Sequence, residues 1–152
     1  MVTLKQFQFA RTYTIRAINQ INPDKWDILP KGFSNSIRWN LGHLYVTAEI
    51  LLNKAVHQYE VKHPEWVTLF APGTRPSEWT ASPPTAEDLI EALKKQSHYI
   101  NEFFTDKLRD KASESFEIGP HMMDTVDSLL QFVTWHEGVH AGIIKAIGNV
   151  VK

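Results

Sequence analysis

The hydrophobic positions of the chain repeat with helical periodicity in four segments. The first segment covers about 3–21 and the second about 36–59. The third opens at Thr85 behind two prolines, and the fourth runs from about 124 to 148. In the second segment, apolar residues recur at alternating spacings of four and three, which is typical of a helix packed in a bundle: Ile37, Leu41, Leu44, Ala48, Leu51 and Ala55.

The connections between these segments indicate how the helices are arranged. No alternating strand pattern bounded by turn residues is visible, so we predict an all-α fold, a four-helix bundle. The proline-rich segment 60–84 is much longer than a hairpin between antiparallel helices needs. It therefore predicts a long crossover, with the second and third helices parallel and with Trp66, Phe70 and Trp79 packed on the bundle. Residues 1–152 suit a single domain.

Composition excludes several classes of protein. The net charge is −1, so no basic field is present to hold a nucleic acid. The chain has no cysteine, and any metal must therefore be bound by nitrogen and oxygen ligands. We recognise no signal peptide and no stretch of roughly 18 uninterrupted apolar residues. We expect a cytoplasmic protein that does not enter a membrane.

Two histidines stand one turn apart on the fourth helix. His136 and His140 are four residues apart, so both rings project from one side of the helix. On a helical wheel both fall within the apolar arc, which predicts that they point into the bundle. The arc consists of Leu129, Phe132, Val139, Ile143 and Ile147. A metal ion would satisfy one nitrogen of each buried ring. A hydrogen-bonded pair of core histidines is the alternative.

A third ligand must come from the remaining histidines. His57 and His98 lie away from the apolar stripes of their helices, and His63 and His121 lie in predicted loops. His43 is the other histidine placed well within a helix. It belongs to a polar row beside the apolar stripe of the second helix: Ser36, Asn40, His43 and Thr47. Such a row either lines a pocket or forms a solvent-exposed edge, and periodicity does not separate the two.

The same helix also matches the H-E-x-x-H motif of zinc metalloproteases, with Glu137 as general base. Those enzymes take a third ligand downstream, but residues 141–152 contain no His, Asp, Glu or Cys. No predicted strand is available to align a peptide substrate either. We therefore interpret Glu137 as a residue that supports the metal ligands, or as a partly exposed residue at the edge of the apolar face.

Two segments resemble the signatures of a known family, the DinB-like (YfiT-like) metalloenzyme superfamily. They are S-I-R-W-N-L-G-H-L at 36–44 and His136-Glu137-x-x-His140-x-Gly142, and the resemblance extends over essentially the whole chain. It implies that His43, His136 and His140 bind zinc or nickel. It also implies an up-down-down-up four-helix bundle and a homodimer. Several characterised relatives are transferases or isomerases that use low-molecular-weight thiols.

Three positions depart from that family pattern. Many members carry a His just before the last ligand, an Arg just after it and a Gln after the glycine, where this chain has Val139, Ala141 and Ile143. The ligands are retained, but these polar groups are missing. We expect a metal-dependent transferase or hydrolase that acts on a small molecule, with a low-molecular-weight thiol as cosubstrate and Glu137 as the candidate for proton transfer. The alternative is a non-catalytic, metal-stabilised bundle that binds a small ligand or is purely structural.

Overall fold

The computed structural model describes residues 2–152, and the protein is predominantly helical. Five helices and two strands follow one another along the chain: α1 Val2–Asn19, α2 Ile37–Ala55, α3 Val67–Phe70, α4 Ala86–Phe104, β1 Lys111–Ile118, β2 His121–Thr125 and α5 Val126–Val150. Four of the helices are long and correspond to the four periodic segments. In the part of the chain described, no helix has the length and apolar character needed to cross a membrane.

Hydroxyl side chains define where three of the long helices begin. Ser36, Thr85 and Thr125 each accept a hydrogen bond from the backbone N–H three residues later, at the start of α2, α4 and α5 respectively. Such caps satisfy N–H groups that have no partner within the helix. The predicted start at Thr85 is thus confirmed, whereas α2 ends at Ala55, four residues earlier than the predicted boundary.

The long helices bury their apolar faces against one another. Helix α5 packs along both α1 and α2, and α4 also contacts both of these helices. Two hydrophobic clusters fill the interior. Side chains of α1, α2, α4 and α5 contribute to each cluster, so the apolar stripes share one helical interior.

A β-hairpin contradicts the expectation that no strand is present. Strands β1 and β2 pair antiparallel around a turn at Gly119, whose φ is +56°. The pairing is irregular between Lys111 and Phe116, so the side chains of β1 do not alternate cleanly between two faces. Met123 is buried and anchors the hairpin on the helices. His121, expected in a loop, lies at the start of β2.

The segment between α2 and α4 folds back over α2. It contains short 3₁₀ turns at Pro64–Trp66 and Pro76–Glu78 on either side of α3. Phe70 is fully buried, Trp66 is nearly so, and Trp79 packs against the same cluster. The expectation that these aromatic residues pack on the helices is confirmed.

Candidate metal centre

A glycine in α2 allows the long connecting segment to approach the helix closely. A Cβ atom built on Gly42 would lie well within 3.0 Å of the Phe70 ring. The ring of Phe70 is fully buried and also packs edge-on against Trp79. With hydrogen as the side chain at position 42, the Phe70 backbone comes next to the residue that follows in α2, His43.

The backbone of Phe70 determines which nitrogen of His43 is free. The Nδ1 atom of His43 lies 2.8 Å from the carbonyl oxygen of Phe70. A carbonyl oxygen only accepts, so Nδ1 must carry the proton and donate it. The Nε2 atom of the neutral ring is then a bare lone pair. Trp39 stacks on the face of the His43 ring, with 4.6 Å between the ring centroids, and restricts the rotation of that ring.

A side-chain amide determines which nitrogen of His140 is free. The Nδ1 atom of His140 lies 2.7 Å from Oδ1 of Asn40. The amide of Asn40 is oriented by its own Nδ2 group, which donates to the backbone oxygen of Ser36 at 2.8 Å. Its Oδ1 atom therefore faces His140 as an acceptor, and Nε2 of His140 is left free to bind a metal.

The three histidines predicted as ligands come together in space. One nitrogen from each of His43, His136 and His140 lies within 4.8 Å of the other two. The Nε2 atoms of His43 and His136 are 3.1 Å apart. Two nitrogens that each bind one zinc ion at about 2.1 Å lie at most about 4.2 Å apart, and this pair satisfies that limit. The spacing of the cluster and the nitrogen chemistry of its donors fit a divalent ion.

The surroundings of the rings keep them unprotonated. Burial lowers the pKa of His136 to about 3, and the neighbouring His140 and His43 add to this effect. Burial likewise lowers the pKa of His140 to about 4, helped by His43 and partly opposed by the Glu137 carboxylate. The pKa of His43 is also lowered by burial, against the hydrogen bond to Phe70. All three rings are therefore neutral at pH 7, which is the form that binds metals.

Glu137 lies behind the histidines and is fully buried, so the interpretation as a partly exposed residue is wrong. Its Oε2 atom accepts hydrogen bonds from Nε of Arg11 at 2.9 Å and from the hydroxyl of Thr14 at 2.8 Å. Its Oε1 atom accepts a third from the Arg11 guanidinium at 3.0 Å. Both carboxylate oxygens are thus hydrogen-bonded to side chains of α1.

The helical wheel assigned the buried face of α5 incorrectly by part of a turn. Glu137 and Ala141 occupy the centre of that face, whereas Val139 is 41% exposed. His136 and His140 are only partly buried, along the boundary with α2 rather than in the middle of the interior. Because His136 and His140 are only partly buried, solvent can reach one side of the histidine cluster.

The structure also decides between the two interpretations of the polar row on α2. Ser36, Asn40 and His43 are all buried, so this part of the row lines the site and does not form a solvent-exposed edge. His57 and His98, expected to be solvated, are exposed and lie outside the cluster.

Two groups beside the histidines were not identified as site residues from the sequence. The carbonyl of Phe70 leaves no trace in the sequence because every residue has one. Asn40 carries a weak signal, since it lies three residues before His43 in the same polar row.

Comparison with known proteins assigns the chain to a family. No curated protein matches the chain. A family model, described as the DinB superfamily, matches residues 6–144, which is most of the chain. With its cluster of three histidines and its predominantly helical fold, the protein belongs to the DinB superfamily.

Proposed function

We propose that this protein is a metal-dependent enzyme that binds one divalent ion, zinc or nickel, through His43, His136 and His140. The observation that carries the proposal is the pair of hydrogen bonds that orient the rings of His43 and His140. The Nδ1 atoms of His43 and His140 donate to Phe70 and Asn40, so both Nε2 lone pairs are available to one ion. Paired acceptors of this kind are typical of metal-binding histidines.

The proposed reaction is of the transferase or hydrolase type, on a small molecule and with a low-molecular-weight thiol as cosubstrate. A divalent ion bound by three neutral imidazoles would lower the pKa of a water or thiol bound to it and so supply a nucleophile near neutral pH. The partly exposed sides of His136 and His140 offer an approach for such a substrate. Trp39, which stacks on His43, would form an apolar wall beside it.

The up-down-down-up arrangement of four helices belongs to this proposal as well. The pairing of α5 with α1 and α2, and the long connection before α4, support it. We further propose a single domain and a homodimer, the latter on the family resemblance. Sedimentation velocity measures the assembly directly.

Glu137 has a positioning role in this proposal. Its two oxygens accept hydrogen bonds from Arg11 and Thr14 of α1. These bonds hold α5, which carries both histidines, in a fixed rotation against α1. A direct part of Glu137 in proton transfer stays a prediction. It would require the carboxylate to exchange at least one of these bonds during turnover.

Metal content tests the proposal most directly. Tag-free wild type would be incubated with zinc or nickel, desalted and analysed for metal, beside His43→Ala and His136→Ala. We expect about one ion per chain in the wild type and a loss of at least 90% in both variants. His98→Ala is the matched control, because it removes an exposed helical histidine outside the cluster and should keep the ion. A wild type without metal, or variants that retain it, would overturn the proposal.

Turnover tests the chemical part. A panel of electrophiles would be assayed with small thiols as cosubstrates, using zinc-loaded, nickel-loaded and metal-stripped protein. We expect turnover that disappears on stripping, returns on reloading and is absent in His136→Ala. A loaded protein that is inactive across the panel would favour the non-catalytic binding bundle instead.

A second candidate is a metal-free structural bundle, favoured by the short distance between His43 and His136. At 3.1 Å, Nε2 of His136 can also donate directly to the bare Nε2 of His43. In that case His136→Ala removes one hydrogen bond, and added zinc leaves the melting temperature of the wild type unchanged. A zinc-dependent rise in melting temperature excludes this candidate.

A further inference from the structure

A second concave site lies between the carboxyl ends of α1 and α5. The cleft has a volume of about 640 Å³ and is bounded by residues 13–25 and 145–152. Small-molecule sites typically have volumes of roughly 300–1,000 Å³. None of its lining residues belongs to the histidine cluster. Lys145 follows His140 by five residues, a rotation of about 140° around α5, so the two sites open on different sides of that helix.

The charged side chains that line this cleft are all positive. Its lining includes no Asp or Glu and contains four cationic side chains: Arg16, Lys25, Lys145 and Lys152. Within residues 2–152, no carboxylate lies within 4.0 Å of any of these four groups. Lys145 instead donates to the hydroxyl of Tyr13 at 3.1 Å. Four unpaired cations around one concavity focus a positive potential in a protein whose net charge is −1.

The inner wall of the cleft is apolar. Ala17, Ile21 and Val151 line it beside the cationic residues. Gly148 is buried there, and a Cβ atom built on it would meet the Ile21 side chain at 2.6 Å. The glycine therefore allows Ile21 to lie against α5. The cleft thus combines a cationic rim with an apolar wall.

From this combination we infer that the cleft binds a small amphipathic anion, a molecule with a carboxylate, sulfonate or phosphate group and a short apolar body. The anionic group lies among Arg16, Lys25 and Lys145, and the apolar body lies against Ile21 and Val151. Binding is independent of the histidine cluster, because the two sites share no residue.

Decanoate is the probe for a titration followed by two-dimensional amide NMR on the full chain. We expect signals of residues 13–25 and 145–152 to shift, and decanol, with the same tail but no charge, to leave them unchanged. Arg16→Glu and Lys145→Glu should each weaken decanoate binding about tenfold or more, because each removes a charge-assisted contact and adds a repulsion. Lys5→Glu is the matched control, since this exposed lysine lies at the other end of α1 and the change in net charge is the same.

Several results would overturn the inference. They are equal weakening by the Lys5→Glu control, equal binding of decanol, shifts centred on the exposed Trp135 instead of the cleft, or binding of anionic vesicles without any binding of decanoate. Arg16 and Lys145 are exposed, so both variants should fold, and circular dichroism checks this. His136→Ala should bind decanoate like the wild type, so failure of the metal proposal and failure of this one give different results.

Discussion

Replacing Gly42 by alanine should disturb the histidine cluster without changing any of its three histidines. The added methyl would overlap the ring of Phe70, which is fully buried. Overpacking of this kind costs about 1–3 kcal/mol, while alanine gains about 1 kcal/mol over glycine in a helix. The net loss of stability is therefore about 0–2 kcal/mol. The displaced Phe70 carbonyl would no longer accept the hydrogen bond of His43, and loss of such a partner lowers metal affinity about 10–100-fold.

Gly138→Ala provides the matched control in the same protein. Gly138 lies within α5, and a Cβ atom built there meets no atom within 4 Å. This variant should be about 0.5–1 kcal/mol more stable than the wild type and should bind zinc with unchanged affinity. Urea denaturation gives the stabilities, and competition with a chromophoric chelator gives the zinc affinities.

A second substitution separates the overlap from other effects of alanine at position 42. Phe70→Leu in the Gly42→Ala background removes ring atoms that meet the methyl and keeps the backbone carbonyl. It should recover part of the lost zinc affinity. If Gly42→Ala binds zinc as tightly as the wild type, the Phe70 carbonyl does not hold His43 in the way described, and the reasoning is refuted.

Three further predictions concern other contacts of the site. Glu137→Gln leaves the buried Arg11 without its counter-charge and should lower the free energy of unfolding by about 3–5 kcal/mol in urea melts. The double replacement Arg11→Met with Glu137→Leu removes both charges and should recover much of the lost stability. Asn40→Leu removes the acceptor of His140 and should weaken zinc binding at least about tenfold in the chelator assay; an unchanged affinity would contradict the assigned role. In the metal-free protein, the folded-state pKa of His136 lies near 3, below its ordinary value of 6.5, so stability is fully present above about pH 6.5 and falls as the pH drops from 6.5 towards 3. Urea melts in the presence of EDTA at several pH values measure this loss, and a stability that rises on acidification would contradict it.

The helices could be predicted because their signals are local. Apolar spacing and hydroxyl caps involve residues within one or two turns of each other. At Thr85, both the cap and the apolar spacing that follows it were visible in the sequence. The hairpin was not predictable by the same means. The irregular pairing of β1 breaks the alternation that periodicity detects, and its contacts with Phe132 and α2 come from distant parts of the chain.

The three histidines of the cluster were predictable from the sequence, but the groups around them were not. Spacing within α5 indicated His136 and His140, whereas His43 needed the family resemblance, because nothing local connects it to α5. The helical wheel did not predict the burial of Glu137, because it assumes that a charged residue avoids the interior. Here Arg11 and Thr14, from α1, satisfy the carboxylate and make its burial possible. A hydrogen bond between two distant helices leaves no periodic pattern in the sequence, so it could not be predicted in this way.

The histidine cluster joins parts of the chain that are far apart in sequence. His43 and His136 are separated by 93 residues, and Asn40 and His140 by 100. Closing so long a loop has an entropic cost, so the cluster can assemble only after α2 and α5 have docked. An ion bound there would enter as one of the last steps of folding and would then act as a cross-link between the two halves of the chain. Resistance to unfolding would consequently follow the concentration of free metal.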